Sequence, residues 1–338
     1  MTDPVYAANE DRYQKMSYRR CGRSGIDLPK LSLGLWYNFG SLASFDNVKR
    51  MAHFAFDNGI CHFDLANNYG PAYGTAEENF GRLMSSSFRP YRDELFISTK
   101  AGWDMWPGPY GNWGSRKYLM ASLDQSLRRM NLDYVDVFYS HRHDPATPIE
   151  ETMQALVDIV RSGKALYVGL SRYPKDKMEQ AFEYLKSRDV PCLLYQDRYN
   201  IIDRGPQKRG LLDLSYQNGT GFISFSPLQQ GLLTDRYLNG IPGDSRIAGG
   251  KSSLKKEALT PEMLKALNAL NGLAAKRGES LAGMALAWLL ADERVSSVII
   301  GASSAEQIAI NLKALGSAPF SSEELELIDS VSSPIQLA

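Results

Sequence analysis

Cysteine is scarce in this sequence: Cys21, Cys61 and Cys192 are odd in number and far apart. That excludes a disulfide framework and any metal-ligand spacing, and leaves buried thiols, two of which open apolar strands. Histidine is sparse as well. Of the four, His141 and His143 stand close together but lack further ligands at zinc-like spacing, so no metal is expected. Neither sign of charge is in excess, with Lys plus Arg and Asp plus Glu at 38 each, which removes the electrostatic reason to expect a nucleic acid or anionic membrane as partner. Apolar runs are broken by charge or Gly before they reach bilayer-spanning length. The opening MTDPVYAANEDRYQKM is polar and acidic, with no apolar core behind a basic flank, and a cytoplasmic location is expected. A phosphate-binding Gly-x-Gly-x-x-Gly is also missing. The first strand-helix turn reads LGLWYNFGSLAS, and the pair Gly219 and Gly221 precedes a strand rather than following one, which argues against a doubly wound dinucleotide-binding sheet.

What the sequence does have is a rhythm. Short apolar runs beginning near Leu31, Cys61, Leu95, Tyr134, Ala165, Cys192, Gly221 and Ser297 are separated, nearly throughout, by segments of helical period. Eight such alternations predict an α/β fold of the (β/α)8 TIM-barrel type. Ahead of it, a turn-rich pair of extended runs around Gly22-Arg23-Ser24-Gly25 predicts a β-hairpin. A polar tail is assigned to residues 1–16, one barrel domain to 17–332 and a short tail to 333–338. Capping boxes are expected at Thr147-Pro148-Ile149-Glu150 and at Ser304 to Gln307. From Pro227 to Thr260, after the seventh strand, the rhythm stops in a long Gly-rich loop carrying Arg236 and Arg246, and such a loop within a compact domain is usually functional.

A barrel of this kind keeps its chemistry at the carboxyl ends of its strands. Those ends carry Trp36, Asp64, Lys100, His141, Ser171 with Arg172, Gln196, Phe225 with Ser226, and Ser303. Tyr69 follows Asp64 by five residues in a loop of turn-forming composition. A phenol beside an ammonium loses its proton more readily, so Tyr69 held against Lys100 is suited to proton transfer, with Asp64 keeping the buried lysine charged.

HFDLANNYG, ISTKAG and DVFYSH resemble the catalytic segments of the aldo-keto reductases, and the resemblance runs from about Tyr18 to the last helix. It implies an eight-stranded barrel that reduces carbonyls with NADPH and has no Rossmann domain. It assigns Tyr69 as proton donor, Lys100 and Asp64 as the pair that tunes it, and His141 as the group that orients the carbonyl. Cofactor contacts fall on Gly34, Trp36, Asp64, Ser171, Arg172 and Gln196, and on Phe225 stacked on the nicotinamide. They continue through Ser226, Pro227, Leu228 and Gly231, the loop residues Arg236 and Arg246, and Gly301, Ser303, Gln307 and Asn311. Many relatives have Glu before that Asn, where this chain has Ile310, and the family's commoner Lys-Ser-x-x-x-x-Arg phosphate motif is absent.

ANNYGPAYGTAEENFGR and FYSHRHDPATP look most like the bacterial reductases of L-glyceraldehyde 3-phosphate and methylglyoxal. That implies a small aldehyde as substrate, met by Trp36, Tyr69, Trp103, His141 and Arg142, with Arg142 or Arg116 available for a phosphate. A homo-oligomer is also possible. LTDRYLNGIPGDSR resembles the cofactor-clasping loop of potassium-channel β-subunits, which allows a second reading as a cofactor-bound regulatory module. Those subunits carry Asn where this chain has His141, which favours the enzyme.

Overall fold

The computed structural model describes residues 6–243, 258–333 and 335. Two short strands, β1 (Tyr18–Arg20) and β2 (Asp27–Pro29), pair antiparallel as the expected hairpin. Eight parallel strands follow: β3 (Leu31–Gly34), β4 (His62–Asp64), β5 (Phe96–Ala101), β6 (Val135–Ser140), β7 (Ala165–Ser171), β8 (Cys192–Arg198), β9 (Gly221–Phe225) and β10 (Val295–Ile300). They close in the order β10-β3-β4-β5-β6-β7-β8-β9, the barrel that the alternation predicts.

The helices form the outer ring. They are α1 (Phe45–Asp57), α2 (Thr75–Leu83), α3 (Arg116–Met130), α4 (Ile149–Arg161), α5 (Lys175–Ser187), α6 (Gly205–Lys208) and α7 (Leu211–Asn218). Beyond the long loop come α8 (Pro261–Lys276), α9 (Leu281–Ala291), α10 (Ala305–Leu312) and α11 (Ser322–Ser332). On α1 the apolar stripe Val48, Met51, Ala52 and Ala55 is buried in the core, as its period requires. Helix α9 has no polar face because it is buried nearly all round. Among the described residues, no helix is long and apolar enough to cross a membrane.

Two apolar layers hold the barrel. The larger lies between strands and helices; the smaller, with Val137, Tyr139, Leu194, Ile223 and Ile299, fills the inside. The hairpin joins that inner layer through the buried Cys21 and Leu28, and so closes the end of the barrel opposite the site. The stretch read as a polar tail also packs: Tyr6 stacks on His53 at 3.7 Å and donates its hydroxyl to Asp57.

Two local expectations fail for a physical reason. Thr147 does not cap α4, which has Pro148 at its N-cap; its hydroxyl donates to Asp144 Oδ2 at 2.6 Å instead. Ser304 does cap α10 by accepting from the Gln307 N–H, but the Gln307 side chain accepts from Ser303 rather than returning to Ser304, so the reciprocal box is not formed. The one-turn helix α6, begun by Gly205-Pro206, was too short for its period to show.

Strand register delivers the site. Asp64 stands opposite Ser98, Lys100 opposite Tyr139, and Ser171 opposite Gln196, all toward the same end of the barrel. Helices α2 and α3 must approach closely behind it. At Gly81 a Cβ would lie 2.1 Å from the carbonyl oxygen of Arg129. Gly81→Ala is therefore expected to cost roughly 1–3 kcal/mol by forcing the two helices apart. Urea unfolding measures this, and an unchanged midpoint would show that the contact yields freely.

Candidate active site

The floor of the mouth is an ion pair removed from water. Lys100 Nζ lies 2.6 Å from Asp64 Oδ2 and donates also to the Leu65 carbonyl at 2.6 Å. Both side chains are buried, so each depends on the other to offset desolvation. Asp64 Oδ1 accepts from Ser98 Oγ at 2.8 Å and from Gln196 Nε2 at 3.1 Å, which fixes the carboxylate in one plane. Tyr69 comes in from its loop with its hydroxyl 3.4 Å from Lys100 Nζ. His141, one residue past β6, places its ring 6.0 Å from that of Tyr69. The four residues expected to act together therefore meet.

Their protonation differs from the simple expectation in one respect. The Tyr69 hydroxyl is pushed well above the usual phenol range, first by desolvation and then by the charge of Asp64. The ammonium does not win because Asp64 already neutralises it at closer range. Tyr69 is thus a neutral phenol that holds a proton to give. Burial, helped by Lys100, Arg172 and Arg142, holds His141 well below the ordinary imidazole range. His141 is neutral, and its buried Nδ1 makes no hydrogen bond among the described residues.

Beneath the floor runs a chain that sequence reasoning missed. Ser297 Oγ donates to the Pro29 carbonyl at 2.7 Å and touches Ser32 Oγ at 2.6 Å; Ser32 meets His62 Nδ1 at 2.8 Å; His62 Nε2 meets Ser98 at 3.0 Å; and Ser98 donates to Asp64. Both ends are acceptors, so these five contacts need five protons, whereas three hydroxyls and a neutral imidazole supply four. Burial holds His62 down to about 4, so near neutrality the chain is one proton short. The signal was available: His62 precedes Asp64 by two residues and Ser98 precedes Lys100 by two, and a period of two puts each pair on one side of its strand. Behind β5, the buried Glu77 accepts from Thr99 at 2.6 Å and pairs with Arg129 at 2.7 Å.

The remaining expected residues surround this floor. Trp36 is half exposed, with its ring 6.4 Å from that of Tyr69, and the Trp103 ring is 6.2 Å from His141. Arg142 lies between Trp103 and Trp113, its guanidinium carbon 3.7 and 3.6 Å from the two ring centroids. Arg116 is directed elsewhere, into an ion pair with Asp158 of α4. Phe225 and Arg172 line a cavity of about 420 Å³ with Asp197, Arg198 and Arg209. The turn Ser226-Pro227-Leu228 to Gly231 is held by Asn200, which donates to the Ser226 carbonyl at 2.9 Å, and it passes through positive φ at Ser226, Gln229, Gln230 and Gly231. Arg236 sits in a short 3-10 turn capped by Thr234. Arg246 lies outside the described residues. Gly34 is required by packing, since a Cβ there would meet Ile299 at 2.6 Å, whereas Gly301 borders open space before α10. Among the described residues, no cluster of His, Cys, Asp and Glu could hold a metal ion.

The model of the Aldo/keto reductase family matches residues 30–333. The chain belongs to the aldo-keto reductase family. It is 56% identical over 330 residues to the L-glyceraldehyde 3-phosphate reductase of Escherichia coli K12, covering 96% of this chain and 95% of that one. It is 36% identical over 325 residues to a probable voltage-gated potassium channel subunit beta of Oryza sativa subsp. japonica, covering 95% and 97%. The crystal structure of a thermostable aldo-keto reductase in complex with the inhibitor epalrestat superposes with a TM-score of 0.74 at 29% identity, covering 94% of this chain and all of that one. This aldo-keto reductase is thus an oxidoreductase of the (β/α)8 type.

Two buried polar atoms bear on cofactor fit. Among the described residues Ser171 Oγ and Asn311 Nδ2 have no hydrogen-bond partner, one beside Gln196 at the floor and the other on α10 beyond Ser303 and Gln307. Orphans of this kind are costly unless a ligand completes them.

All four imidazoles of this aldo-keto reductase are shifted down: His53 and His62 to about 4, His141 well below 6.5 and His143 below it, each chiefly by desolvation. The unfolded chain then binds more protons than the folded one at pH values under about 6.5, so stability is lost as pH falls through that window. Urea midpoints are expected to drop steadily from pH 7 to pH 5. A flat profile over that range would show that the folded state protonates its histidines as readily as the unfolded chain does.

Proposed function

We propose that this protein reduces small aldehydes, of the kind represented by L-glyceraldehyde 3-phosphate and methylglyoxal, to alcohols with NADPH. The observation that carries the reading is the Tyr69 hydroxyl, protonated and 3.4 Å from a lysine whose charge Asp64 secures. When bound, the dinucleotide supplies hydride to the carbonyl carbon. Tyr69 gives its proton to the carbonyl oxygen, and the nearby ammonium stabilises the phenolate left behind. The imidazole of His141 is neutral and has no partner among the described residues, so it can donate to the same oxygen and set its direction. Ser171 and Gln196 would hold the carboxamide, Phe225 would stack on the ring, and Ser303, Gln307 and Asn311 would hold the adenine end. The identity to the L-glyceraldehyde 3-phosphate reductase supports the aldehyde class.

The likeness to channel β-subunits gives a second reading, a cofactor-bound regulatory module. The imidazole at position 141 supports turnover instead, because it completes the pair of donors that the carbonyl oxygen needs. No helix among the described residues is of membrane-spanning kind, which accords with a cytoplasmic enzyme.

Tyr69→Phe is expected to lower NADPH-coupled aldehyde reduction by about a hundredfold or more while leaving NADPH binding nearly unchanged. Absorbance at the nicotinamide band reads the first and quenching of tryptophan fluorescence the second. Turnover in the Phe variant equal to that of the parent would remove Tyr69 from the chemistry.

A further inference from the structure

Two guanidinium groups at the mouth have carboxylates in their surroundings, Asp104 and Asp144 for Arg142 and Asp197 for Arg172, but none within ion-pair range among the described residues. Arg142 is partly buried without an ion pair among the described residues, although most other partly buried arginines form one, as Arg92 with Asp136 and Arg277 with Glu324; Arg172 is exposed and also forms none. Arg142 is held rigidly. Its two faces are covered by Trp103 and Trp113, its Nε donates to the Gly102 carbonyl at 2.7 Å, and one terminal nitrogen donates to Asn112 Oδ1 at 2.9 Å. Asn112 is fixed in turn by donating to Asp104. The other terminal nitrogen of Arg142 has no acceptor among the described residues. Arg172 is set by a backbone at φ +55°, which turns the chain sharply at the end of β7, and its guanidinium carbon lies 5.6 Å from the centroid of the same Trp103 ring. It stands at the edge of the 420 Å³ cavity that opens beside Phe225. Both arginines depress the titration of His141, so both are close to the group that meets the carbonyl.

A planar cation covered by an indole on each face, braced by neutral acceptors and without a carboxylate in ion-pair range among the described residues, is arranged to receive a dianion from outside. We infer that Arg142 and Arg172, on either side of Trp103, form the subsite for the phosphate group of a phosphorylated three-carbon aldehyde, and so set the preference of this enzyme for anionic over neutral substrates. The inference rests on the aldehyde-reductase reading and deepens it. It also gives Arg172 a task separate from the carboxamide contact that the family resemblance suggests, because the backbone N–H of Arg172 is already bonded to the Gln196 carbonyl and the guanidinium leans the other way, over Trp103.

The test compares L-glyceraldehyde 3-phosphate with L-glyceraldehyde, which differ only in the phosphate. In the parent enzyme the ratio of kcat/KM values is expected to favour the phosphate ester, and in Arg142→Gln and in Arg172→Gln that ratio is expected to fall by about tenfold or more, through KM. Arg142→Lys, which keeps charge but loses the planar fork between two indoles, is expected to recover only part of the loss. Binding of glycerol 3-phosphate, read by the fluorescence of the flanking tryptophans, needs no turnover and separates this inference from the reading beneath it. Weaker binding in both variants supports the subsite even if no aldehyde is reduced. Equal binding in parent and variants, or an unchanged ratio of the two kcat/KM values, would overturn it.

Discussion

The pair Lys100 and Asp64 is the constraint around which the mouth of this barrel is organised. Two opposite charges 2.6 Å apart, both out of water, are tolerable only if every other valence of each is met. Ser98, Gln196 and the Leu65 carbonyl meet them. Those partners sit on β5, on β8 and just past β4, so the polar demand of one ion pair ties together strands on opposite sides of the barrel. A mouth held in this way does not need to rearrange when a reaction begins, which is the main advantage that a fixed dipole has over water. The cost is carried below, where the chain through His62 and Ser32 is one proton short of full bonding.

Much of this was legible in the order of residues, for reasons that also explain what was not. A strand that ends in Asp, another in Lys and a third in His can be counted off because apolar runs stop abruptly, and parallel strands in a closed barrel open the same way. Helix α3 shows its period in Leu119, Leu123, Leu127 and Met130, and the structure closes it between a Ser115 cap and a left-handed Asn131. By contrast, the failure at Thr147 came from a competitor three residues away: a capping pattern describes one hydroxyl and one helix, whereas the hydroxyl answers to whichever acceptor is nearest in space. The same limit applies to Arg116 and Arg142. Both read as candidate phosphate ligands, and only the fold shows that the first reaches Asp158 while the second is held among indoles. Long side chains are placed by tertiary neighbours, not by their own position along the chain.

The protonation of Tyr69 is the instructive disagreement. Considered as a pair, a phenol and an ammonium predict a lowered pKa. Considered as a site, the phenol also faces desolvation and a carboxylate that has already claimed the ammonium, and its pKa is raised. A proton donor near neutrality must first hold its proton, so the raised value agrees with reduction better than the lowered one does. Pairwise reasoning gave the wrong sign because the third charge, Asp64, acts on both of the others.

The charges of the mouth can be followed outward from that point. The floor is neutral overall, with Asp64 against Lys100, and Tyr69 and His141 carry no charge. The rim adds two guanidinium groups that form no ion pair among the described residues, and it also carries Trp36, Trp103 and Trp113. Indole faces stabilise a cation without cancelling it, so the positive potential at the opening persists while water is kept off the planes of Arg142. The same two cations are among the causes that hold His141 neutral. A dianion seated between them would relax that hold and raise the affinity of His141 for a proton, strengthening its hydrogen bond to a carbonyl oxygen a few ångströms away. In such an arrangement the group that identifies a substrate and the group that orients its reaction are coupled through charge alone, and no part of the barrel has to move.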